Sequence, residues 1–367
     1  MKRIACVLFF LSLLLYNGSG RADALSAIVI EESTGCVLYE SNAHAQLPMA
    51  STTKIMTALL ALENCSLNEV VTVSRNAFGV PGTSVYLEEG EKLTMEQLLY
   101  GLMLASGNDA AVAIAEHVGG SVEAFCSMMN VRAQEIGCEN THFITPHGLP
   151  AYNHYTTAHD LVMISREAMQ NDVFRKIVST QRATIPWESR GYDRVLNNKN
   201  RLLSSYDGAI GIKTGYTKAA GRCLSFAAER DGMTLIGVVL NCPDWFDVSE
   251  QLLNAAFSRY EMKLAFSAGD VIATVAVENG EAKSVEVIVQ SDVAYPMPKE
   301  NEPNITISLP QKLPAGFKSG EIVGVVQMTF GNETLVEVPI VTKSDVPMRT
   351  FLTGLKREAN YWLLLSH

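Results

Sequence analysis

The strand-forming segments of the first 260 or so residues lie at the two ends of that stretch, with helix between them. Ala27-Ile28-Val29-Ile30 and Cys36-Val37-Leu38-Tyr39 are rich in β-branched residues, and Ser33-Thr34-Gly35 supplies a turn, so 25–40 reads as a hairpin. After Gly208, the segments 209–214, 224–228 and 235–240 read as three further strands. From Ser51 onward, Ile55, Met56, Leu59, Leu60 and Leu62 make a helix apolar nearly all round, which predicts a buried central helix. Thr94 and Gln97 form a capping box ahead of the apolar run 98–104. More helix is expected over 110–117, 122–136, 158–169 and 246–258. β-rich ends around a helical middle meet in one sheet, which makes 25–267 a single α+β domain.

From Ala268 the pattern is β only. Strands are expected over 271–277, 285–289, 305–309, 322–328 and 335–340, separated by turn pairs such as Asn279-Gly280 and Gly331-Asn332. That spacing predicts a small all-β sandwich over 268–346. The tail, 347–367, differs again. Phe351, Leu355, Ala359, Trp362 and Leu363 fall near one helical face, and Arg349, Lys356, Arg357 and Asn360 fall mostly on the other. A basic amphipathic helix of this kind suits an anionic membrane surface; the competing reading packs it on the protein itself.

At the other terminus, Lys2 and Arg3 precede an apolar run over 4–16 and the small-residue triplet Ala22-Asp23-Ala24. This is the layout of a secretory signal peptide covering 1–24, with a retained anchor as the alternative, and no other run reaches transmembrane length. The chain is thus expected to be exported and to act outside the cytoplasm, attached to the membrane. Removing 1–24 takes away Lys2, Arg3, Arg21 and Asp23, so the mature chain is more acidic than the −10 of the whole. With no Lys/Arg run longer than a pair on an acidic background, a nucleic-acid partner is disfavoured.

Cys36, Cys65, Cys126, Cys138, Cys223 and Cys242 remain after Cys6 leaves with the leader. Their even number allows disulfides in an exported protein, but a chain this long does not need them; most are expected to be small core residues, with one pair left open to bridging. No CxxC and no Cys/His cluster at metal spacing occurs, so no metal or other cofactor is expected. His142, His147, His154 and His159 are not spaced as a ligand set and read as loop structure near a cleft.

Three short motifs carry chemistry. Ser51-Thr52-Thr53-Lys54 opens the apolar helix, where positions i and i+3 share a face, so hydroxyl and amine can meet. A serine needs a base beside it, and a lysine becomes one when burial or a neighbouring cation lowers its pKa. The helix start also offers backbone N–H groups where an oxyanion would form. Ser106-Gly107-Asn108, between two apolar helices, presents a hydroxyl and an amide to the cleft they border. Lys213-Thr214-Gly215, at the end of an expected strand, adds a second lysine to hold the first one's pKa down and bind an anion, a hydroxyl, and a glycine that lets a ligand backbone approach.

In this order and context the three motifs form the set of penicillin-binding proteins and class A β-lactamases. The chain resembles a low-molecular-mass penicillin-binding protein, a serine-type D-alanyl-D-alanine carboxypeptidase, over essentially its whole length. The resemblance is carried by Leu47-Pro48-Met49-Ala50-Ser51-Thr52-Thr53-Lys54, Met103-Leu104-Ala105-Ser106-Gly107-Asn108-Asp109, Pro146-His147-Gly148-Leu149-Pro150 and Gly211-Ile212-Lys213-Thr214-Gly215-Tyr216-Thr217. It implies a penicillin-binding/β-lactamase-like domain, an antiparallel sheet with helices, followed by the β-rich domain and the amphipathic tail. It implies peptidoglycan stem peptides as substrate and β-lactams as covalent inhibitors. Ser51 would be acylated, Lys54 would be its base, and Ser106 would relay a proton to the leaving D-alanine. Asn108 would hold the substrate amide and orient Lys54, while Lys213 and Thr214 would hold the terminal carboxylate. The N–H groups of Ser51 and Tyr216 would form the oxyanion hole, and Gly215 would admit the substrate backbone.

Some members of the family carry a carboxylate-binding arginine after the strand that follows Lys-Thr-Gly; here that region reads Asn241-Cys242-Pro243-Asp244-Trp245-Phe246-Asp247. The E-x-x-L-N string that serves deacylation in β-lactamases occurs only at Glu250-Gln251-Leu252-Leu253-Asn254, after Lys213 and inside an apolar-periodic helix, and reads as a chance match. The alternatives to a carboxypeptidase are a DD-endopeptidase or transpeptidase, a class A-like β-lactamase, and a catalytically weak wall-binding protein.

Overall fold

The computed structural model describes residues 25–350. The expected signal segment, and the expected tail helix beyond Thr350, lie outside the described residues; within them 347–350 is not helical, since Met348 bridges to Gly280 and the Arg349 N–H donates to the Asn279 carbonyl at 2.8 Å. The chain divides into two compact units, one ending at Ser258 and the other beginning at Arg259.

The first unit opens with β1 (Ser26–Glu31) and β2 (Val37–Ser41), which pair as the expected hairpin. Its turn is tied by the buried Glu31 carboxylate, which accepts from the backbone N–H groups of Ser33 and Thr34 at 2.9 and 2.8 Å. A short 3-10 turn, Ala50–Thr53, leads into α1 (Lys54–Asn64), whose residues from Lys54 to Ala61 are all buried. A small ribbon of β3 (Val70–Thr72) and β4 (Lys92–Thr94) follows, then α2 (Met95–Met103), capped by Thr94 and Gln97 as the sequence predicts. Next come α3 (Asn108–Gly119), α4 (Val122–Ile136), α5 (Ala158–Met169) and α6 (Asp172–Ser179). A second ribbon, β5 (Arg182–Ile185) with β6 (Arg194–Asn197), and the one-turn α7 (Leu202–Ser205) lead to β7 (Ala209–Thr217), β8 (Gly221–Arg230) and β9 (Met233–Leu240). Helix α8 (Trp245–Arg259) closes the series.

The two β-rich ends do form one antiparallel sheet, in the order β2-β1-β9-β8-β7, with Ser26 opposite Leu240 and Glu31 opposite Leu235. Every residue of β1 is buried, as an interior strand covered on both faces must be. Helix α5 packs on β1 and β9, and α6 packs on β7. Helix α1 lies at the centre of the helical layer, touching α2, α3, α4, α5 and α6, which accounts for its all-round apolar sequence.

In the second unit, β10 (Tyr260–Phe266), β11 (Val271–Glu278), β12 (Ser284–Val289), β13 (Val293–Pro298), β14 (Asn304–Ser308), β15 (Lys312–Pro314), β16 (Ile322–Phe330) and β17 (Glu333–Thr342) form two sheets. One has six strands in the order β14-β16-β17-β12-β11-β15; the other is the β10–β13 pair. Strand β13 packs on β16 and β17, around a core that includes Val287, Val289, Val293, Val326, Met328 and Ile340.

Two expectations need correction, and the cysteine reading holds. The boundary falls after Ser258 rather than after residue 267, because 260–266 forms β10, whose partner β13 belongs to the second unit. Ser51 lies within the 3-10 turn that precedes α1, not in the α-helix itself. No disulfide joins Cys65, Cys126, Cys138, Cys223 and Cys242; the last four are buried as small core residues.

Candidate active site

The central helix α1, the start of α3 and the edge strand β7 bring the three motifs together. Lys54 is the first residue of α1 and fully buried. Its Nζ lies 3.0 Å from Ser51 Oγ, 2.8 Å from Asn108 Oδ1 and 2.7 Å from the His147 carbonyl oxygen. A neutral amine has two N–H donors and one lone pair. With the N–H groups on Asn108 and His147, the lone pair is left for the Ser51 hydroxyl, the arrangement a base needs. Burial, and then the positive charges of Lys213 and Lys199, hold the Lys54 pKa well below its ordinary value, against a smaller opposing effect of Asp109.

Ser51 is presented by backbone packing. The Ala50–Thr53 turn begins at Ala50 in the left-handed region, φ +48°, and β7 presses on its outer side. At Gly215 the approach is so close that a Cβ would stand 2.9 Å from Ser51 N and 3.1 Å from the Met49 carbonyl oxygen. On the inner side Thr53 Oγ1 donates to the Ala50 carbonyl at 2.8 Å and lies 3.0 Å from His154 Nε2. The Ile144 N–H donates to His154 Nδ1, so Nε2 carries the proton and donates to Thr53. Burial lowers the pKa of His154 to about 4 and that of His147 to about 3, so both rings are neutral around the lysine base.

Asn108 opens α3 and is clamped on both sides. Its side-chain nitrogen donates to the Pro81 carbonyl at 2.7 Å, and its backbone N–H donates to Thr83 O at 2.7 Å. The next residue, Asp109, accepts from the N–H groups of Val85 and Leu87, which fixes the loop over 81–87 against the same helix start. Ser106 has φ +66°, and its buried Oγ has no hydrogen-bond partner among the described residues. A left-handed non-glycine residue with an unspent buried hydroxyl is a costly arrangement of the kind found at functional sites.

Lys213 is buried on β7; its Nζ donates to the Thr214 carbonyl at 3.2 Å, and burial followed by the charge of Lys199 lowers its pKa to about 7. Thr214 is buried and Tyr216 exposed on the same strand. Ser51, Lys54 and Asn108 are therefore joined by direct contacts, Gly215 packs on the Ser51 backbone, and Lys213 acts on Lys54 through its charge. Ser106 bonds to none of them. Glu250 and Asn254, the β-lactamase-like string, are spent elsewhere: they accept from Ser205 Oγ and Tyr206 OH, tying α8 to the end of α7.

Sequence reasoning missed Asp109, His154 and the His147 carbonyl as parts of this arrangement. The Pro146–Pro150 stretch is the only signal for the last of these, because a backbone acceptor leaves no side-chain signature.

Residues 17–244 match the family described as D-alanyl-D-alanine carboxypeptidase, and residues 260–348 match the C-terminal domain of penicillin-binding protein 5. The chain is 34% identical to the D-alanyl-D-alanine carboxypeptidase DacF of Bacillus subtilis, over 93% of this chain and 90% of that protein. It is 30% identical to DacA of Escherichia coli, over 91% and 86%. Among solved structures, penicillin binding protein 5 of Haemophilus influenzae superposes with a TM-score of 0.75 at 28% identity, covering 90% of this chain and 99% of that one. A point mutant of the Streptomyces K15 DD-transpeptidase superposes with a TM-score of 0.61 at 37% identity, covering 64% and 98%.

Proposed function

The chain belongs to the D-alanyl-D-alanine carboxypeptidase family, and from that premise we propose how its own residues carry out the reaction. The enzyme is a serine-type carboxypeptidase that removes the terminal D-alanine from peptidoglycan stem pentapeptides and is acylated by penicillin. Neutral Lys54 takes the Ser51 proton as Oγ attacks the carbonyl carbon of the penultimate D-alanine. The N–H groups of Ser51 and Tyr216 stabilise the oxyanion. Collapse breaks the C–N bond; the proton taken up by Lys54 passes through the Ser106 hydroxyl to the departing amine, which leaves Lys54 neutral again and an ester to Ser51. Water then adds to that ester, Lys54 again serving as base, and releases the shortened peptide.

Lys213 and Thr214 hold the terminal carboxylate. Burial makes the lysine charge strong toward an anion that displaces water from it. The single observation that carries this reading is the Lys54 amine set within 3.0 Å of Ser51 Oγ with both its other contacts on acceptors. The amphipathic character of 347–367 supports attachment to an anionic membrane surface, and the layout of 1–24 supports export. Among the described residues no helix is long and apolar enough to cross a membrane.

Likeness to the K15 DD-transpeptidase favours one second reading, in which an acceptor amine replaces water at the acyl-enzyme. Purified protein incubated with a pentapeptide ending in D-Ala-D-Ala, with and without glycine as acceptor, separates the two. Free D-alanine in a one-to-one ratio with tetrapeptide supports hydrolysis, and a glycine-terminated product supports transfer. Absence of D-alanine in both arms overturns the assignment.

A further inference from the structure

Helices α1 and α3 touch at both ends. At one end, Lys54 and Asn108, their first residues, are hydrogen-bonded in the active site. At the other end, Cys65, which follows α1 directly, and His117, in the last turn of α3, converge with Glu69. One donor atom from each of the three, a thiol sulfur, an imidazole nitrogen and a carboxylate oxygen, lie within 4.8 Å of one another. No other such cluster of three occurs among the described residues. The sequence predicts no metal because these positions share no motif spacing; the fold assembles them from the ends of two helices and the turn between α1 and β3.

The local structure holds the three in place. Glu69 N–H donates to the Ser66 carbonyl at 3.1 Å, and Ser66 N–H lies 3.3 Å from Glu69 Oε2, so a tight turn folds Glu69 back beside Cys65. His117 Nε2 lies 2.8 Å from Glu69 Oε1. Two light-atom ligands of one tetrahedral zinc ion stand about 3.3 Å apart, and a sulfur and a nitrogen about 3.6 Å apart, given bonds of about 2.0–2.3 Å. The pair and the triplet are thus within small side-chain adjustments of a ligand set. Cys65 and His117 are half-buried and Glu69 is exposed, which leaves the fourth position to water.

We propose that Cys65, Glu69 and His117 form a binding site for a zinc-class divalent cation that clamps the far ends of the two helices whose near ends carry Lys54 and Asn108. The donor set selects the metal class: thiolate and imidazole favour zinc, cobalt or copper over calcium and magnesium, which want oxygen alone. Binding releases the Cys65 thiol proton to solvent and forms a metal–sulfur bond. His117 binds through Nε2 with its proton on Nδ1, and the present Glu69–His117 hydrogen bond is exchanged for two metal bonds. Thiolate and carboxylate together neutralise the dication, so the site, which carries the single negative charge of Glu69 when empty, is neutral when loaded.

The test titrates Co2+ into the chelator-treated, full-length mature protein and follows absorbance. One equivalent should bind with a thiolate-to-cobalt charge-transfer band and be displaced by Zn2+. Cys65→Ser should lose the band, and Glu69→Gln, which keeps the thiol, should bind at least about tenfold more weakly. Zn2+ should raise the melting temperature of the parent protein and leave that of Cys65→Ser unmoved. Covalent penicillin labelling, which uses none of these three residues, reports that each variant is folded. No charge-transfer band in the parent protein overturns the proposal. So does an undiminished band in Cys65→Ser, or unchanged affinity in Glu69→Gln, since either places the cation elsewhere.

Discussion

The Asn108 side-chain oxygen lies 2.8 Å from Lys54 Nζ, and the Asn108 side-chain nitrogen is spent on the Pro81 carbonyl, so the amide can point only one way. Its acceptor end therefore faces the lysine without bringing a negative charge. Asn108→Asp keeps the shape and adds that charge. An anion within hydrogen-bond distance favours the ammonium form of Lys54 and moves the acid limb of kcat/KM upward by about 1–3 pH units. At neutral pH the variant should be strongly impaired and should recover part of its activity at alkaline pH. A pH–rate profile with an unshifted acid limb would show that Asn108 does not govern the base.

The two buried lysines should give opposite limbs. Lys54 works deprotonated, so activity should appear as pH rises through a value well below the ~10.4 of a free lysine. Lys213 works protonated, and its pKa is lowered to about 7, so in the free enzyme carboxylate binding should weaken as pH rises through that region. A bound carboxylate stabilises the ammonium and raises that pKa again. The alkaline limb should therefore appear near neutrality in kcat/KM and lie at higher pH in kcat. Coincident alkaline limbs in the two profiles would exclude Lys213 as the carboxylate's partner.

Replacing the nucleophile and the base separates acylation from folding. Ser51→Ala should abolish labelling by a fluorescent penicillin while the melting temperature stays near that of the parent, since the half-buried hydroxyl bonds only to Lys54 among the described residues. Lys54→Arg keeps a basic side chain but cannot lose its proton, so it should also fail to label. Persistent label on folded Ser51→Ala would move the acyl group to another residue.

What was legible in the sequence followed periodicity. Strands β1 and β9 are continuous apolar runs, and their pairing followed from the helical stretch between them. Strand β10 was not legible: Tyr260-Glu261-Met262-Lys263-Leu264-Ala265-Phe266 follows α8 with no turn residue, and its half-buried face is defined only by β13. The short β5–β6 ribbon was likewise too brief to carry a period, whereas α6 does carry one in Phe174, Ile177 and Val178 and went unread. Within the site, the side chains that react were visible as motifs, whereas those that hold them were not. The His147 carbonyl acts through the backbone, Asp109 through the amides of Val85 and Leu87, and His154 through the Ser51 turn, all long-range contacts without local pattern.

The tail makes a separable prediction. If 348–367 holds the protein at a membrane, burial of Phe351, Leu355, Trp362 and Leu363 should dominate, because the attraction of each basic residue to anionic lipid is only about 1 kcal/mol and is screened by salt. Trp362→Glu should weaken co-sedimentation with anionic vesicles more than Lys356→Gln does. Removing 348–367 should release the mature protein without loss of activity on soluble peptide. Truncated protein that still pellets would place the anchor elsewhere.

Gly148 tests whether the backbone acceptor at His147 matters. The residue has φ +87°, and a Cβ built on it would stand 1.8 Å from the Ala50 carbonyl oxygen and 2.8 Å from Thr53 Oγ1. Gly148→Ala must therefore push the 146–148 segment away from the turn that carries Ser51, and the His147 carbonyl with it. The steric and conformational cost is about 1–3 kcal/mol of stability, a shift that thermal melting resolves. The chemical consequence is distinct. Once the carbonyl no longer accepts from Nζ, Lys54 loses one of the two contacts that orient its lone pair toward Ser51, so the rate of penicillin acylation should fall even at temperatures where the variant is fully folded. Acylation at the parental rate in folded Gly148→Ala would mean that Asn108 alone positions the lysine and that the 146–148 segment serves only to pack the first turn of α1.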